Sequence, residues 1–282
     1  MNTSQKHKIQ EQLRNYVAQY NSQNAASHSL KGVSSATISQ ILNDNWDLVS
    51  DEMWRKIEKQ TATLPVDWVT VETRDFKLVT QILTDARDYS NVLAITGNAG
   101  SGKTVAIKQF TSTNRNAFVL HCSEFWNRKY FLSELLSQMG RDYSGLTVSE
   151  MMSESIKTLQ KLEDPIIAMD EADKLPDQVL YFFITMYNQL EDQCGIVLIA
   201  TDHLSKRINK GMKLNKKGYK EIYSRLGRKF IELQGVGVSD VAQVCIANGV
   251  EDKQSIQGIW RDCDGDLRRV KRLIHAYKMQ NQ

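Results

Sequence analysis

One short segment, residues 97–104, constrains this chain more than any other feature. It reads Gly-Asn-Ala-Gly-Ser-Gly-Lys-Thr and directly follows the apolar run Val92–Thr96. Glycines in this pattern let successive backbone N–H groups turn toward one point, and a helix that begins near Lys103 adds the positive end of its dipole. The segment therefore predicts an anion-binding cradle between a buried strand and a helix.

The last two residues of this segment indicate which anion it binds. Lys103 is placed to reach the β and γ phosphates of a nucleotide, and the Thr104 hydroxyl is placed to ligate Mg²⁺. The sequence thus predicts ATP and Mg²⁺ as ligands. The predicted cradle consists of Gly97, Asn98, Ala99, Gly100, Ser101, Gly102, Lys103 and Thr104.

Short apolar runs alternate with amphipathic helical segments from about Trp68 onward. Four of these runs read as strands buried on both faces, and residues 230–233 are a fifth candidate. Strands separated by helices predict a parallel sheet with helices on both faces. The four runs are Val92–Thr96, Ala117–His121, residues 166–169 and Gly195–Ala200.

Polar residues follow two of these predicted strands. Asp170, after the run 166–169, is predicted to hold Mg²⁺, and Glu171 is predicted to accept a hydrogen bond from the water that attacks the γ-phosphate. Thr201, after the next strand, is predicted to orient that water or to sense the γ-phosphate. These residues together predict hydrolysis of the bound nucleotide.

Three arginines outside the strands are candidates for phosphate contact. Arg225 and Arg228 lie just before the last predicted strand, where an arginine can complete the site of a neighbouring subunit. Arg225 is the first candidate and Arg228 the second. Arg268 is predicted to begin a helix and to reach back to the γ-phosphate, so it joins the nucleotide-binding set. For each arginine an ordinary surface role in a basic region is the alternative.

Positive charge is concentrated in one part of the chain. The net formal charge is only +3, yet residues 202–230 carry ten basic residues against two acidic ones. Such a concentration favours a polyanion partner, here DNA, and a solvated lysine-rich loop is the alternative. The candidate DNA contacts are Lys206, Arg207, Lys210, Lys213, Lys216 and Lys217.

The first sixty residues predict a separate helical module. Residues 25–30 and 34–42 read as two helices joined by a turn at Gly32, with Ser34 capping the second, which is the pattern of a helix-turn-helix. Ser35 and Gln40 then lie on the face that reads base edges in such modules. Because the second helix carries no Lys or Arg, docking to a protein is the alternative to DNA contact.

The pattern along the chain predicts a helical domain with the helix-turn-helix over residues 1–63, a linker over 64–75, a nucleotide-binding core over 76–234 and a C-terminal helical lid over 235–282. The four cysteines are far apart and include no Cys-x-x-Cys pair, which is typical of reduced thiols. No apolar run approaches the roughly 20 residues of a membrane span, and the first residues lack the apolar stretch of a signal peptide. We therefore expect a cytoplasmic protein with no membrane partner.

Taken together, these motifs resemble those of the AAA+ ATPases over residues 69–278. In that family, residues 97–104 stand at the Walker A position, residues 170–171 at Walker B and Thr201 at sensor 1. Ser224-Arg225 stands at the arginine finger and Gly265-Asp266-Leu267-Arg268 at sensor 2.

The helix-turn-helix pattern, together with Val71-Glu72-Thr73 and the basic segment, narrows the resemblance to the phage Mu transposition protein B family. The resemblance implies an α/β AAA+ fold, with an N-terminal helix-turn-helix domain and a small C-terminal helical lid. It also implies an ATPase that assembles copies of itself on double-stranded DNA with little sequence preference and delivers that DNA to a transposase. Two alternatives stay open: a helicase or initiator loader, and a sequence-specific regulator in which the helix-turn-helix dominates.

Overall fold

The computed structural model of the chain describes residues 1–18, 20, 23–61 and 68–280. The chain divides into two compact units, Met1–Val69 and Thr70–Gln282. The predicted boundary at residue 63 and the first part of the predicted linker, residues 64–67, lie outside the described residues. Within the described ranges no helix is long and apolar enough to cross a bilayer.

The first unit is built from helices, and apolar side chains of three of them form one core. Ile9 of the first helix and Ile38 of the third lie in one core with Trp54 of the fourth. Ser34 accepts a hydrogen bond from the backbone N–H of Thr37 and so caps the third helix. The helices are α1 (Thr3–Val17), α2 (Gln23–Ser29), α3 (Ser35–Leu42) and α4 (Asp51–Thr61).

The predicted sequence-reading positions of α3 lie at its two ends. Ser35 opens the helix and Gln40 lies near its last turn, and both are half-buried. Their side chains are thus only partly available at the surface of the first unit.

The second unit alternates strands and helices. Its strands are β1 (Val92–Thr96), β2 (Ala117–His121), β3 (Ile166–Asp170), β4 (Gly195–Ala200) and β5 (Ile231–Glu232). Its helices are α5 (Arg74–Asp88), α6 (Lys103–Thr113), α7 (Arg128–Gln138), α8 (Val148–Leu159), α9 (Asp177–Leu190), α10 (Asp202–Lys213), α11 (Tyr219–Arg225), α12 (Val238–Ala247), α13 (Lys253–Cys263) and α14 (Leu267–Gln280).

All five strands belong to one parallel sheet. Their order is β2-β3-β4-β1-β5, and each neighbouring pair runs in the same direction. The fifth strand is shorter than the predicted run 230–233, because only Ile231 and Glu232 pair with β1. The predicted parallel sheet is confirmed.

The central strand β4 supplies two cores at once, since successive side chains of a strand point to opposite faces. Ile196 and Leu198 pack with helices α7 to α11, whereas Val197 and Ile199 pack with α5 and α6. All four side chains are fully buried. A strand covered on both faces reads as one apolar run, which makes β4 recognisable in the sequence.

Two buried carboxylates fix the junction between the sheet and the C-terminal helices. Asp75 accepts hydrogen bonds from the backbone N–H groups of Gln234 (3.1 Å) and Gly235 (2.9 Å). Asp240 of α12 accepts one from the N–H of Arg74 at 3.0 Å. The first turn of α5 and the segment that leads into α12 are therefore bonded to each other.

Gly195 opens β4 so close to α5 that a side chain would collide. A Cβ atom built there lies 2.2 Å from the backbone carbonyl oxygen of Ala86. We expect Gly195→Ala to lower the free energy of unfolding by roughly 1–3 kcal/mol, because backbone has to shift to make room. Urea unfolding followed by circular dichroism measures the change.

The matched control is Gly258→Ala in α13, where the new Cβ meets no atom within 4 Å. An alanine inside a helix is expected to raise the free energy of unfolding by up to about 1 kcal/mol. If Gly195→Ala were as stable as Gly258→Ala, the close approach of α5 to β4 would be contradicted.

Candidate nucleotide-binding site

The loop 97–104 has a backbone shape that an anion cradle requires. Gly100 (φ +78°) and Gly102 (φ +92°) adopt left-handed conformations, in which a residue with a side chain is strained. Gly102 is also the N-cap of α6, so the unpaired N–H groups of the first helical turn border the loop. The loop therefore joins a left-handed turn to a helix N-terminus.

Lys103 is folded back over this loop. Its Nζ atom donates hydrogen bonds to the carbonyl oxygens of Gly97 (2.8 Å) and Asn98 (2.7 Å). Burial lowers the pKa of Lys103, and the nearby carboxylate of Asp170 opposes this effect. The ammonium group is thus held inside the loop, where a phosphate group of a nucleotide would replace the two carbonyl oxygens as its partner.

Two oxygen ligands converge where β3 ends and α6 begins. The Thr104 hydroxyl donates to Asp170 Oδ2 at 2.8 Å, and Asp170 is only 2% exposed. Hydroxyl and carboxylate oxygens suit Mg²⁺, which is commonly bound together with substrate phosphates and water. The residues present therefore fit a magnesium ion that enters with the nucleotide.

His121 is a member of this edge that sequence reasoning missed. Its Nδ1 atom lies 3.5 Å from Asp170 Oδ2. His121 is the last residue of β2, which neighbours β3 in the sheet. Its position at the end of a predicted strand could therefore have identified it from the sequence.

Glu171 is exposed and directly follows Asp170. It has a left-handed backbone (φ +57°) immediately after β3, and its Oε2 atom accepts a hydrogen bond from Lys174 Nζ at 2.7 Å. This bond raises the pKa of Lys174. The predicted water-orienting carboxylate is therefore paired with a lysine three residues along the chain, a partner that the spacing alone could have suggested.

Thr201 lies between the acidic strand end and the loop 97–104, because β4 runs between β3 and β1. Its hydroxyl donates to Asp173 Oδ2 at 2.7 Å. The same oxygen accepts the backbone N–H of His203 at 3.4 Å and thereby caps α10. Thr201 thus connects the central strand β4, which ends at Ala200, to the basic helix α10, which begins at Asp202.

The start of α14 rests on the loop. The backbone N–H of Leu267 donates to the carbonyl oxygen of Gly100 at 2.9 Å. A Cβ atom built on Gly100 would lie 2.1 Å from Asp266 Oδ1, so only glycine fits beneath this carboxylate. Asp266 was missed as a contact of the loop, because its partner lies far away in sequence.

Arg268 follows directly and is exposed. Its backbone N–H donates to Asp266 Oδ1 at 2.7 Å. Besides burial, the positive charge of Arg268 lowers the pKa of Lys103. Arg268 therefore lies within electrostatic reach of the ammonium group in the loop.

The two candidate intersubunit arginines have different surroundings. The guanidinium carbon of Arg225 lies 4.9 Å from the centre of the Tyr187 ring, and its Nη2 atom lies 3.9 Å from Glu221 Oε1. Arg228 is exposed and has a left-handed backbone (φ +59°). Arg225 is thus stacked within its own chain, whereas Arg228 is presented at the surface.

Five of the six candidate DNA contacts are exposed. Lys206, Lys210 and Lys213 follow one face of α10 at helical spacing, and Lys216 and Lys217 lie in the connection to α11. The apolar face of α10 packs in the core of the second unit. The exposed face of α10 is therefore basic.

Arg207 differs from the prediction that placed it with these lysines. Its guanidinium group donates hydrogen bonds to the carbonyl oxygens of Leu175 (2.6 Å) and Asp173 (3.3 Å) and forms an ion pair with Asp177. Only 25% of its side chain is exposed, against 70% for Lys206. Its donors are used inside the unit because it lies on the side of α10 that packs against the segment after β3.

Residues 86–208 match the family model described as AAA domain. The ATP-dependent target DNA activator B of Escherichia phage Mu is 23% identical over 240 residues, which cover 81% of this chain and 74% of that protein. The Mu-like prophage FluMu DNA transposition protein B of Haemophilus influenzae is 26% identical over 266 residues, covering 89% of this chain and 88% of that protein. The predicted resemblance to the Mu transposition B proteins is confirmed.

Among solved structures, the Aeropyrum pernix ORC1 protein in complex with DNA is similar, with a TM-score of 0.50 and 17% identity. The match covers 73% of this chain and 60% of that one, so this chain spans less than two thirds of its length. A likeness at this identity concerns the fold alone. The predicted α/β fold of the AAA type is confirmed.

We expect Lys103→Ala to weaken nucleotide binding. A hydrogen bond to a charged group contributes about 1.5–3 kcal/mol, so the dissociation constant should rise by roughly tenfold to more than a hundredfold. Fluorescence titration with a labelled ATP analogue measures it. Lys108→Ala, on the exposed side of the same helix α6, is the control and should bind as the unchanged protein does. If both variants bound the ATP analogue with equal affinity, the predicted role of Lys103 in nucleotide binding would be contradicted.

Proposed function

We propose that this chain is a Mg²⁺-dependent ATPase that binds duplex DNA with little sequence preference while ATP is bound, assembles with further copies of itself on that DNA, and delivers it to a transposase. The names of the two relatives, a target DNA activator and a DNA transposition protein, support the transposition role. The loop 97–104 with Asp170 and Glu171 supports the ATPase activity.

One observation carries the link between ATP and DNA: a single helix joins the nucleotide site to the basic surface. The N-cap of α10 is Thr201, whose hydroxyl donates a hydrogen bond to Asp173, three residues after Asp170 at the end of β3. The helix has 12 residues and is therefore about 18 Å long. Lys206, Lys210 and Lys213 all lie on this one helix. A shift of its N-terminus, next to the predicted position of the γ-phosphate, would therefore reorient the three lysines.

In this proposal the residues around the loop divide the work of hydrolysis. Lys103 binds the β and γ phosphates, and Thr104 with Asp170 would hold Mg²⁺. When bound there, the ion offsets negative charge on the phosphates. Glu171 orients the attacking water and accepts its proton, for which it has to leave its pairing with Lys174.

A neighbouring copy supplies the remaining positive charge. An arginine that enters from outside stabilises the charge that develops on the transferred phosphoryl group. Arg228 reaches a neighbour without losing a contact, whereas Arg225 first has to leave the ring of Tyr187. Because only ATP carries the γ-phosphate that Thr201, Arg268 and this arginine contact together, ATP favours the assembled state and hydrolysis favours release.

The exposed lysines bind the DNA in this proposal. Lys206, Lys210, Lys213, Lys216 and Lys217 neutralise backbone phosphates, which makes the binding independent of base sequence and sensitive to salt.

The helix-turn-helix of residues 1–63 adds little phosphate attraction, since α3 carries no Lys or Arg. Through Ser35 and Gln40 it contributes either a groove contact or a protein-docking face. The predicted linker 64–75 ends within the second unit, whose helix α5 begins at Arg74, and residues 235–282 act as the lid through Asp266 and Arg268.

Electron microscopy of the protein with random-sequence duplex tests this function. We expect regular filaments with ATP, and isolated particles with ADP or without nucleotide. Glu171→Gln, which removes the carboxylate that activates water, is expected to keep its filaments longer after ATP is added. Glu163→Gln, at an exposed site near the opposite end of β3, is the matched control.

Three results would contradict the proposal in different ways. Isolated particles under all conditions would exclude assembly on DNA. Binding to one defined sequence only would favour a regulator that reads bases through α3. Tight binding to a helicase without coating of bare duplex would favour a loader.

A further inference from the structure

Arg207 is embedded in a set of contacts that its basic neighbours do not share. Its Nη1 atom donates to the carbonyl oxygen of Leu175 at 2.6 Å and to that of Asp173 at 3.3 Å. Its Nη2 atom bonds the carboxylate of Asp177, at the start of α9. One side of the guanidinium group thus holds the segment that follows the acidic pair after β3.

The other side of the group holds α11. Arg207 Nε donates to the hydroxyl oxygen of Tyr219 at 3.3 Å, and that hydroxyl donates to Asp177 Oδ1 at 2.8 Å. Burial raises the pKa of Tyr219, so its hydroxyl keeps the proton that it donates. A three-way junction results among α10, the start of α9 and the start of α11.

The ring of Tyr219 is locked in this position. Only 2% of Tyr219 is exposed, and a Cβ atom built on Gly211 of α10 would lie 2.4 Å from its ring. The ring also contacts Tyr181 edge-on, with centroids 5.8 Å apart. Because the ring is packed between Gly211 and Tyr181, a displacement of Arg207 would act on the first residue of α11.

The junction at Arg207 contacts two segments that are proposed to take part in ATP hydrolysis. Asp173, whose carbonyl oxygen binds Arg207, also accepts the hydroxyl of Thr201 through its carboxylate at 2.7 Å. Tyr219 opens α11, and Arg225 closes it, with Arg228 three residues further on. The guanidinium group of Arg207 is therefore linked through Asp173 to Thr201 of its own nucleotide site. Through Tyr219 it is linked to α11, which ends at Arg225, an arginine proposed to act in the site of the neighbouring copy.

We propose that Arg207 is a positioning residue that makes the segment 170–177 and helix α11 of one subunit move together, so that ATP in its own site sets the position of the arginine in the neighbour's site. This inference rests on the proposed function, because it assumes that an arginine acts between copies. Arginine suits the role since its planar fork offers donors on three nitrogens at fixed angles, whereas the donors of lysine all lie on one nitrogen.

The alternative is that Arg207 binds DNA phosphates, as its place in the basic segment suggests. The two roles differ in what they require. A phosphate contact depends on charge, changes the salt dependence of DNA binding and leaves hydrolysis without DNA unaltered. A positioning role depends on the fork, changes hydrolysis in the assembled protein and leaves the salt dependence of DNA binding unaltered.

The experiment compares Arg207→Lys and Tyr219→Phe with Asn209→Ala, an exposed residue of the same helix, as control. ATP hydrolysis is measured against ATP concentration on saturating duplex DNA, where the proposed function has the copies assembled, and nucleotide affinity is measured separately by fluorescence titration. We expect both variants to lower kcat by roughly tenfold to a hundredfold, since misplacement by about 1 Å has this scale of effect. We expect the dissociation constant of ATP to stay unchanged and any cooperativity in ATP to be lost.

Tyr219→Phe removes one hydroxyl and retains the ring, so it tests the junction even if Arg207→Lys unfolds. Salt titration of DNA binding adds the second readout, for which Lys210→Ala is the reference. Losing a phosphate contact lowers the slope of log affinity against log salt by about 0.9 per contact, and Arg207→Ala, which removes the charge, should leave this slope as it is. Unchanged kcat in Arg207→Lys and Tyr219→Phe would overturn the inference.

The two proposals fail separately. If the unchanged protein coats DNA with ATP while Arg207→Lys and Tyr219→Phe hydrolyse ATP normally, only the role of Arg207 is wrong. If the unchanged protein never assembles, the proposed function is wrong, and the role of Arg207 between copies is wrong with it, whatever the kcat of the variants.

Discussion

The order of the strands is the constraint on which the candidate site depends, because β4 runs between β3 and β1. Parallel strands end at the same edge of a sheet, and ligands of such folds bind where these ends meet. The loop after β1, Asp170 at the end of β3 and Thr201 after β4 are therefore neighbours although they are far apart in sequence. The hydrogen bond of 2.8 Å between Thr104 and Asp170 joins two of these three elements directly.

Two helices, α10 and α14, connect this edge of the sheet to other parts of the second unit. α10 is capped by Thr201 and presents a basic face, while α14 starts where the Leu267 N–H donates to the carbonyl oxygen of Gly100. Both helices thus begin on groups that would border a bound nucleotide. A change at the phosphates therefore has a structural route to the basic surface and to the C-terminal helices.

Features with a local cause could be predicted from the sequence. The apolar run of β4 reflects burial on both faces, and the glycines of the loop 97–104 reflect left-handed turns, so both are visible in the residues themselves. Arg207 shows where the reasoning stopped short: charge grouped it with Lys206, although helical spacing places it beside the buried Leu204 and Ile208. The position of Asp266 over Gly100 depends on how distant segments pack, and no local pattern contains that information.

The central claim is that each nucleotide site is completed by an arginine of the next copy, and mixing two inactive variants tests it most directly. Lys103→Ala lacks the lysine that is proposed to bind phosphate but keeps its arginines, whereas the double variant Arg225→Ala/Arg228→Ala keeps an intact loop. ATP hydrolysis is measured for each alone and for their mixture on duplex DNA. The account predicts that the mixture regains hydrolysis that neither variant shows alone. A mixture no more active than its separate components would contradict it.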